Sequence, residues 1–429
     1  MATRSWATTA RTPTVCTSAA TCASLRASSR SSPEAAVADG DTATSSRSAQ
    51  FILDVTAVGY FLPIGMMFVG VSRFTREDLG GDDFLVGLAT TIFFVSAIVA
   101  RPLAGRWMDR IGRRPFIWPA LVAMGLTTIV IGVTTAAWQV VVIRLVQGAV
   151  GASLYTALAA TATDLVPPHR RGAAMARLSV MVYLGFAVGP VFGEWLFDRS
   201  HWALFAVAGG LTCVAAAVAF RLPETRPDTS DVNGEATAVP VRAMLRAVMR
   251  PGVAQFCVGF GYACLISFLT KYSREIGLGS SGWLFLTFAV CTLCIRAVSG
   301  PLGDRVGYAA VALPGLLCVA LGLLGLATAW ETWVAFPSIA LVGVGFGGSF
   351  PALTAIAAQR APDTARGAAL GAFLSFNDVG NALAGPLVGL LGEAVGFRWV
   401  YGAPAIVATV GAVVCVSLLR RPQASASLA

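Results

Sequence analysis

Apolar stretches of about twenty residues recur along the whole chain, and no other feature so narrows the folds open to it. Punctuated by Gly, Pro and charged residues, they lie near 50–71, 84–102, 115–136, 138–162, 173–196, 202–221, 252–272, 282–299, 309–329, 333–357, 367–391 and 400–419. Each is long enough to cross a hydrocarbon core of about 30 Å at about 1.5 Å per helical residue. The composition agrees, with 56% hydrophobic against 12% charged residues over 429 positions, far from the soluble average. The runs show no period-two alternation, which excludes a β-barrel. Gly, Ala and Ser are frequent within them, as close helix packing in lipid requires. The expected fold is an all-α membrane protein of twelve transmembrane helices.

An internal repeat divides these helices into two sets of six. Arg101-Pro-Leu-Ala-Gly105-Arg-Trp-Met-Asp109-Arg110-Ile-Gly112-Arg113-Arg114 returns as Arg296-Ala-Val-Ser-Gly300-Pro-Leu-Gly-Asp304-Arg305-Val-Gly307, displaced by 195 positions. Arg171-Gly172-Ala173-Ala174 returns as Arg366-Gly367-Ala368-Ala369 at the same offset, and Gly189-Pro190 returns as Gly385-Pro386 after one inserted residue. Such doubling marks a transporter-like architecture of two similar halves around a central cavity. The Gly-x3-Asp-Arg-x-Gly loop, placed twice between long apolar segments, resembles the loops after helices 2 and 8 of the major facilitator superfamily. That resemblance implies a membrane transporter whose halves rock about a cavity near the bilayer midplane.

Arginine placement sets the expected orientation. With both termini cytoplasmic, the short inner loops 101–114, 165–177, 296–309 and 358–367 hold twelve basic residues and the outer loops six, counting Lys271. The chain then divides into a cytoplasmic tail (1–49), a six-helix half (50–221), a cytoplasmic linker (222–250), a second half (251–419) and a short cytoplasmic tail (420–429). Residues 1–49 are Ser-, Thr-, Ala- and Arg-rich without hydrophobic periodicity and are expected to be disordered. An inner (plasma) membrane location and a monomeric state are the expectation.

Topology explains much of the net charge of +9, and no soluble basic face suggests nucleic acid. Seven of the nine cysteines fall inside apolar helices, so Cys291-x-x-Cys294 is expected to be packing and not a redox pair. With His169 and His201 as the only histidines, neither a metal nor a cofactor is expected, and the chain is not read as an enzyme. Gly343-x-Gly345-x-x-Gly348 matches a dinucleotide fingerprint only on paper, because no strand precedes it.

The superfamily resemblance implies a cytoplasmic gate. Gly105, Gly112, Gly300 and Gly307 would permit tight reversals. Asp109 would meet the start of helix 11 near Gly367, Arg113 would meet Asp164 at the end of helix 4, and Arg110, Asp304 and Arg305 would complete the latch. The second copy departs from the pattern, with Tyr308 and Ala309 replacing two arginines and Gln359 standing 195 positions after Asp164. The stronger latch is therefore expected in the first half.

Ionisable residues inside apolar helices point to the transport pathway, since each costs about 2.5–3.5 kcal/mol on insertion scales. Arg144-x-x-Gln147-Gly148 places Arg144 and Gln147 on one helical face. It resembles the helix 4 motif of the drug–proton antiporter branch of the superfamily. Asn377, Asp378 and Asn381 interrupt helix 11, Asp54 lies about one turn into helix 1, and Lys271 is the only lysine among thirty-one basic residues. Gly185-x3-Gly189-Pro190-x2-Gly193 resembles the same branch's helix 5 motif, except that Glu194 replaces its usual second glycine. These motifs imply proton-coupled export of small amphipathic or hydrophobic compounds. The alternative is an importer or facilitator of a polar metabolite, with Arg144 and Lys271 binding substrate anions.

Overall fold

The computed structural model describes residues 33–167, 170–225, 241–328, 331–360 and 366–419. Twelve helices occupy these residues: α1 (Pro33–Glu77), α2 (Asp83–Ile111), α3 (Arg114–Ile131), α4 (Ala137–Asp164), α5 (Arg171–Phe197), α6 (His201–Ala219), α7 (Val241–Glu275), α8 (Gly282–Val306), α9 (Tyr308–Thr328), α10 (Thr332–Arg360), α11 (Arg366–Val395) and α12 (Trp399–Leu419). Among the described residues, the helical body begins at Ala49 and ends at Leu419.

Three boundaries correct the sequence reading. First, α1 starts at Pro33, so part of the supposed disordered tail is helical; Pro33 suits a first helical position, and Glu34-Ala-Ala follows with good helix formers. Residues 1–32 and 420–429 lie outside the described residues. Second, α7 begins at Val241 and takes in the end of the expected linker, whose residues 226–240 also lie outside them. Third, the repeated motif is mostly helix. Helices α2 and α8 run on to Ile111 and Val306, and only Gly112 and Gly307 turn the chain, with φ of 98° and 90°. In that conformation any side chain is strained, so the last glycine of each copy is the true reversal.

Close approaches between small residues assemble the body. Helix α5 seats α1 through Gly185, Gly189 and Gly193: a Cβ on Gly189 would lie 2.6 Å from the Leu62 carbonyl oxygen, and one on Gly193 2.9 Å from Met66 Cα. Helix α11 seats α7 in the same way, with Gly259 against the Asn377 backbone and Gly380 against Phe256. Gly343 and Gly345 fit against the backbones of α8 and α9, so this fingerprint is a packing surface. The two halves meet along α2–α11 and α5–α8. Gly87 and Gly385 bring α2 and α11 to backbone contact, and neither could carry a Cβ unless the helices separated. Ser72 donates its hydroxyl to the Ser267 carbonyl oxygen at 2.9 Å, and these residues are 195 positions apart, so equivalent points of the two repeats touch.

Candidate functional site

A cavity of about 260 Å³ lies between the halves. Helices from both repeats line it, including α1, α2, α4 and α5 on one side and α7, α8, α10 and α11 on the other. Its wall is largely aromatic. Tyr262 stacks on Phe346 with ring centroids 4.9 Å apart, Phe346 leads on to Phe350 at 5.9 Å, and Phe186 packs on Phe68 at 5.3 Å from the opposite half.

Arg144, Gln147, Asn377, Asp378 and Asn381, singled out by sequence, all line this cavity. Arg144 is held by neutral partners: it donates to Gln147 Oε1 at 3.1 Å and to the carbonyl oxygens of Ala89 and Thr90 at 3.3 and 3.4 Å. Phe93 lies 5.2 Å below its guanidinium. Gln147 is buried and fixed in turn, donating to the hydroxyls of Thr127 and Thr128 at 3.2 and 3.0 Å. Gly148 lets α4 approach the α2 backbone closely at Phe93, which brings the arginine within reach of α2's carbonyl groups. Asp378 is 4% exposed. Asn377 accepts a hydrogen bond from Gln255 at 2.8 Å, and buried Asn381 Oδ1 has no hydrogen-bond partner among the described residues.

Sequence reasoning missed Arg296, which was assigned to an inner loop. It stands inside α8, three turns before the helix end, and lines the cavity. Its guanidinium lies 4.3 Å from the Tyr183 ring centroid and 5.5 Å from that of Phe350, one ring from each half. The usable signal was its apolar surroundings, Leu293-Cys294-Ile295-Arg296-Ala297-Val298, which belong to a helix interior.

Two expected pathway residues lie elsewhere. Asp54 pairs with Arg177 of α5 in a separate groove among α1, α5 and α6, so its charge is neutralised locally. Lys271 binds Asp83 Oδ2 at 2.6 Å and covers the Phe397 ring at 4.3 Å, outside the cavity lining.

Asp83 belongs to a charged layer that closes one end of the body, where α1 finishes and α2 begins. Arg76 also pairs with Asp83, and Arg274 reaches Glu77 at 2.6 Å. Arg73 meets Glu77 at 2.9 Å and Asp198 at 2.7 Å. Glu194, 4% exposed, accepts the Ser280 hydroxyl at 2.6 Å and the N–H groups of Ser281 and Gly282 at 3.1 and 2.8 Å. A carboxylate of α5 thus occupies the N-terminus of α8, where unpaired N–H groups and the helix dipole favour negative charge. The Lys271–Asp83, Arg274–Glu77 and Glu194–α8 contacts all join one half to the other.

The opposite end carries the doubled motif. Arg113 Nε lies 3.2 Å from Asp164 Oδ2, and the Arg113 N–H donates to Glu224 at 2.8 Å. Asp304 accepts the Tyr308 hydroxyl, Arg305 is exposed, and Gly300 has open space where a Cβ would stand. The side chains of Asp109 and Arg110, with Gly105 and Gly367, lie outside the described residues. Among the described residues, the ion pairs at this end stay within one half.

The sequence profile of the Major Facilitator Superfamily matches residues 51–254 and again 252–429. An uncharacterized MFS-type transporter of Salmonella typhimurium is 28% identical over 370 residues, covering 84% of this chain and 94% of its own length. YhhS of Escherichia coli K12, likewise an uncharacterized MFS-type transporter, is 25% identical over 84% of this chain and 90% of its own. Among solved structures, a bacterial homologue of the human lysosomal transporter Spinster, inward-facing and unoccupied, superposes with a TM-score of 0.73 at 16% identity. That match covers 89% of this chain and 99% of the other. The human organic anion transporter MFSD10 superposes at 0.64 with 18% identity, over 86% and 99% of the two chains. These structural likenesses speak for the fold, and the profile for the family: the chain belongs to the Major Facilitator Superfamily and is an integral-membrane secondary transporter.

Proposed function

We propose that this transporter exports small amphipathic compounds by alternating access, driven by proton entry through a site at Asp378. The observation that carries the reading is the set of charged contacts that tie the two halves together at the α1–α2 end of the body. With arginine counts placing both termini in the cytoplasm, the tied end is outside and the cavity belongs to an inward-facing state. An aromatic wall with a few fixed polar groups suits an amphipathic substrate. Asp378, a carboxylate in an apolar helix facing that cavity, is the group best situated to exchange a proton.

In this reading the doubled motif latches the inner end in the outward-facing state, with Asp109 and the Arg113–Asp164 pair as its first-half elements. The protein works as a monomer in the inner membrane. Two resemblances support export: the helix 4 and helix 5 motifs of the drug–proton antiporter branch.

A second reading, uptake or facilitated passage of a polar metabolite, draws on Asn381 Oδ1 and its lack of a partner in the cavity. Among structural neighbours, NupG is a nucleoside transporter, at a TM-score of 0.71 and 13% identity. Purified protein in liposomes separates the readings. Compound-induced proton movement opposite to the compound's own supports export by exchange. Passage of a polar metabolite with no proton movement supports the second reading and rejects the first.

A further inference from the structure

The charges of the described residues that line the cavity do not balance, and the imbalance names a substrate class. Arg144 and Arg296 contribute two guanidinium groups, and Asp378 is the one carboxylate among the described lining residues. Neither arginine has a carboxylate within ion-pair distance among the described residues. Arg144 is satisfied by neutral carbonyl and amide oxygens, and Arg296 lies against two rings. Arg296 also hydrogen-bonds the Tyr183 hydroxyl, while its buried Nε has no hydrogen-bond partner among the described residues. Outside the cavity, charges on the helices are paired closely, as at Asp54–Arg177 and Asp83–Lys271. Two guanidinium groups against one carboxylate leave one excess positive charge among the described lining residues, and an incoming monoanion would neutralise it.

The shape of the site adds to this. The Arg296 guanidinium lies between the Tyr183 and Phe350 rings, 4.3 and 5.5 Å from their centroids, and a planar guanidinium fork recognises carboxylate, sulfonate or phosphate oxygens well. Beside it runs the Tyr262–Phe346–Phe350 wall, which offers ring faces to an apolar body. The volume of about 260 Å³ favours a compact ligand over a long chain.

We propose that the cavity binds a compact aromatic monoanion, its acid group held by Arg296, its ring by Tyr262, Phe346 and Phe350, with Arg144 adding positive charge to the same cavity. This rests on the reading of the cavity as the transport site and narrows it, setting aside lipophilic cations as preferred cargo. An inside-negative membrane potential drives such an anion outward, in the direction proposed for transport.

Binding of three naphthalene probes of similar size tests the charge preference in detergent-purified full-length protein. The probes are naphthalene-2-sulfonate, neutral 2-naphthol and the 2-naphthylmethylammonium cation, with affinity read by calorimetry. The sulfonate should bind at least tenfold more tightly than either partner. Arg296→Gln and Arg144→Gln should each weaken the sulfonate at least tenfold while changing 2-naphthol less than twofold. Arg296→Lys, which keeps the charge, should retain part of the preference and also guards against a misfolded glutamine variant. Equal or tighter binding of the neutral or cationic probe overturns the proposal, as does a sulfonate affinity indifferent to both arginines. Tighter binding of dodecyl phosphate than of naphthalene-2-sulfonate overturns the aromatic body and points to a lipid anion. Selective sulfonate binding without proton-coupled flux would leave this inference standing and reject proton-driven export. Flux of neutral or cationic compounds alone would do the reverse.

Discussion

Glu194→Gln should open the end of the body that the charged layer closes. Glu194 takes three donors from the α7–α8 turn, at 2.6, 2.8 and 3.1 Å, and does so from the other half of the molecule. Hydrogen bonds to a charged acceptor contribute about 1.5–3 kcal/mol each. Glutamine keeps one carbonyl oxygen but turns an N–H₂ group toward N–H donors, and it also gives up the charge at the helix N-terminus. Losing one such bond and weakening the others costs the closed state about 3 kcal/mol, or roughly a hundredfold in the equilibrium between closed and open forms. Spin labels at Phe192 and Trp283, exposed positions beside the contact in α5 and α8, read the separation in a background freed of native cysteines. The long-distance population should grow markedly in Glu194→Gln. Identical distance distributions in mutant and parent, at equal thermal stability, would refute the clamp.

Lys271→Gln should likewise lengthen that distance, yet leave naphthalene-2-sulfonate affinity within twofold of the parent; a tenfold loss would return Lys271 to the substrate pathway. Arg113→Ala should reduce transport more than Arg305→Ala at equal membrane expression, since Arg113 lies 3.2 Å from Asp164 whereas Arg305 is exposed. Equal losses would mean that the asymmetry between the motif copies is sequence drift. Gly87→Ala should cut transport at least tenfold, because a Cβ there meets the Gly385 backbone across the α2–α11 contact, at a cost of about 1–3 kcal/mol. Gly300→Ala, with open space around it, is the matched control and should be nearly silent in this state. Asp378→Asn should insert and bind substrate normally but lose uphill transport driven by a pH gradient, while exchange down the substrate's own gradient persists. Full pH-driven accumulation by that mutant would make Asp378 a structural residue.

Much of this architecture is legible in the sequence because membrane insertion penalises ambiguity. Long apolar runs, a repeat at a fixed offset and sparse internal charge leave few alternatives, and Arg144, Gln147, Asn377, Asp378 and Asn381 stand out as polar residues in apolar helices. Local patterns could not tell whether a charge already has a partner. Asp54 and Lys271 read as pathway residues in the sequence, but each pairs with a residue more than a hundred positions away, Arg177 and Asp83, outside the cavity lining. Arg296 was hidden by the opposite error, since membership of a recognised motif placed it in a loop that is in fact the last turns of α8. Glu194 read as a departure from a glycine motif; its place at the start of α8 follows only from how the two halves meet.

Alternating access itself is tested most directly by measuring both ends of one molecule. A second label pair at Ile111 and Val306, exposed at the far ends of α2 and α8, reports the end opposite the charged layer. In the Glu194→Gln, Lys271→Gln double mutant, the Phe192–Trp283 distance should lengthen and the Ile111–Val306 distance should shorten together. If the first distance lengthens while the second stays fixed, the charged layer is only a local brace, and the two halves do not rock about the cavity.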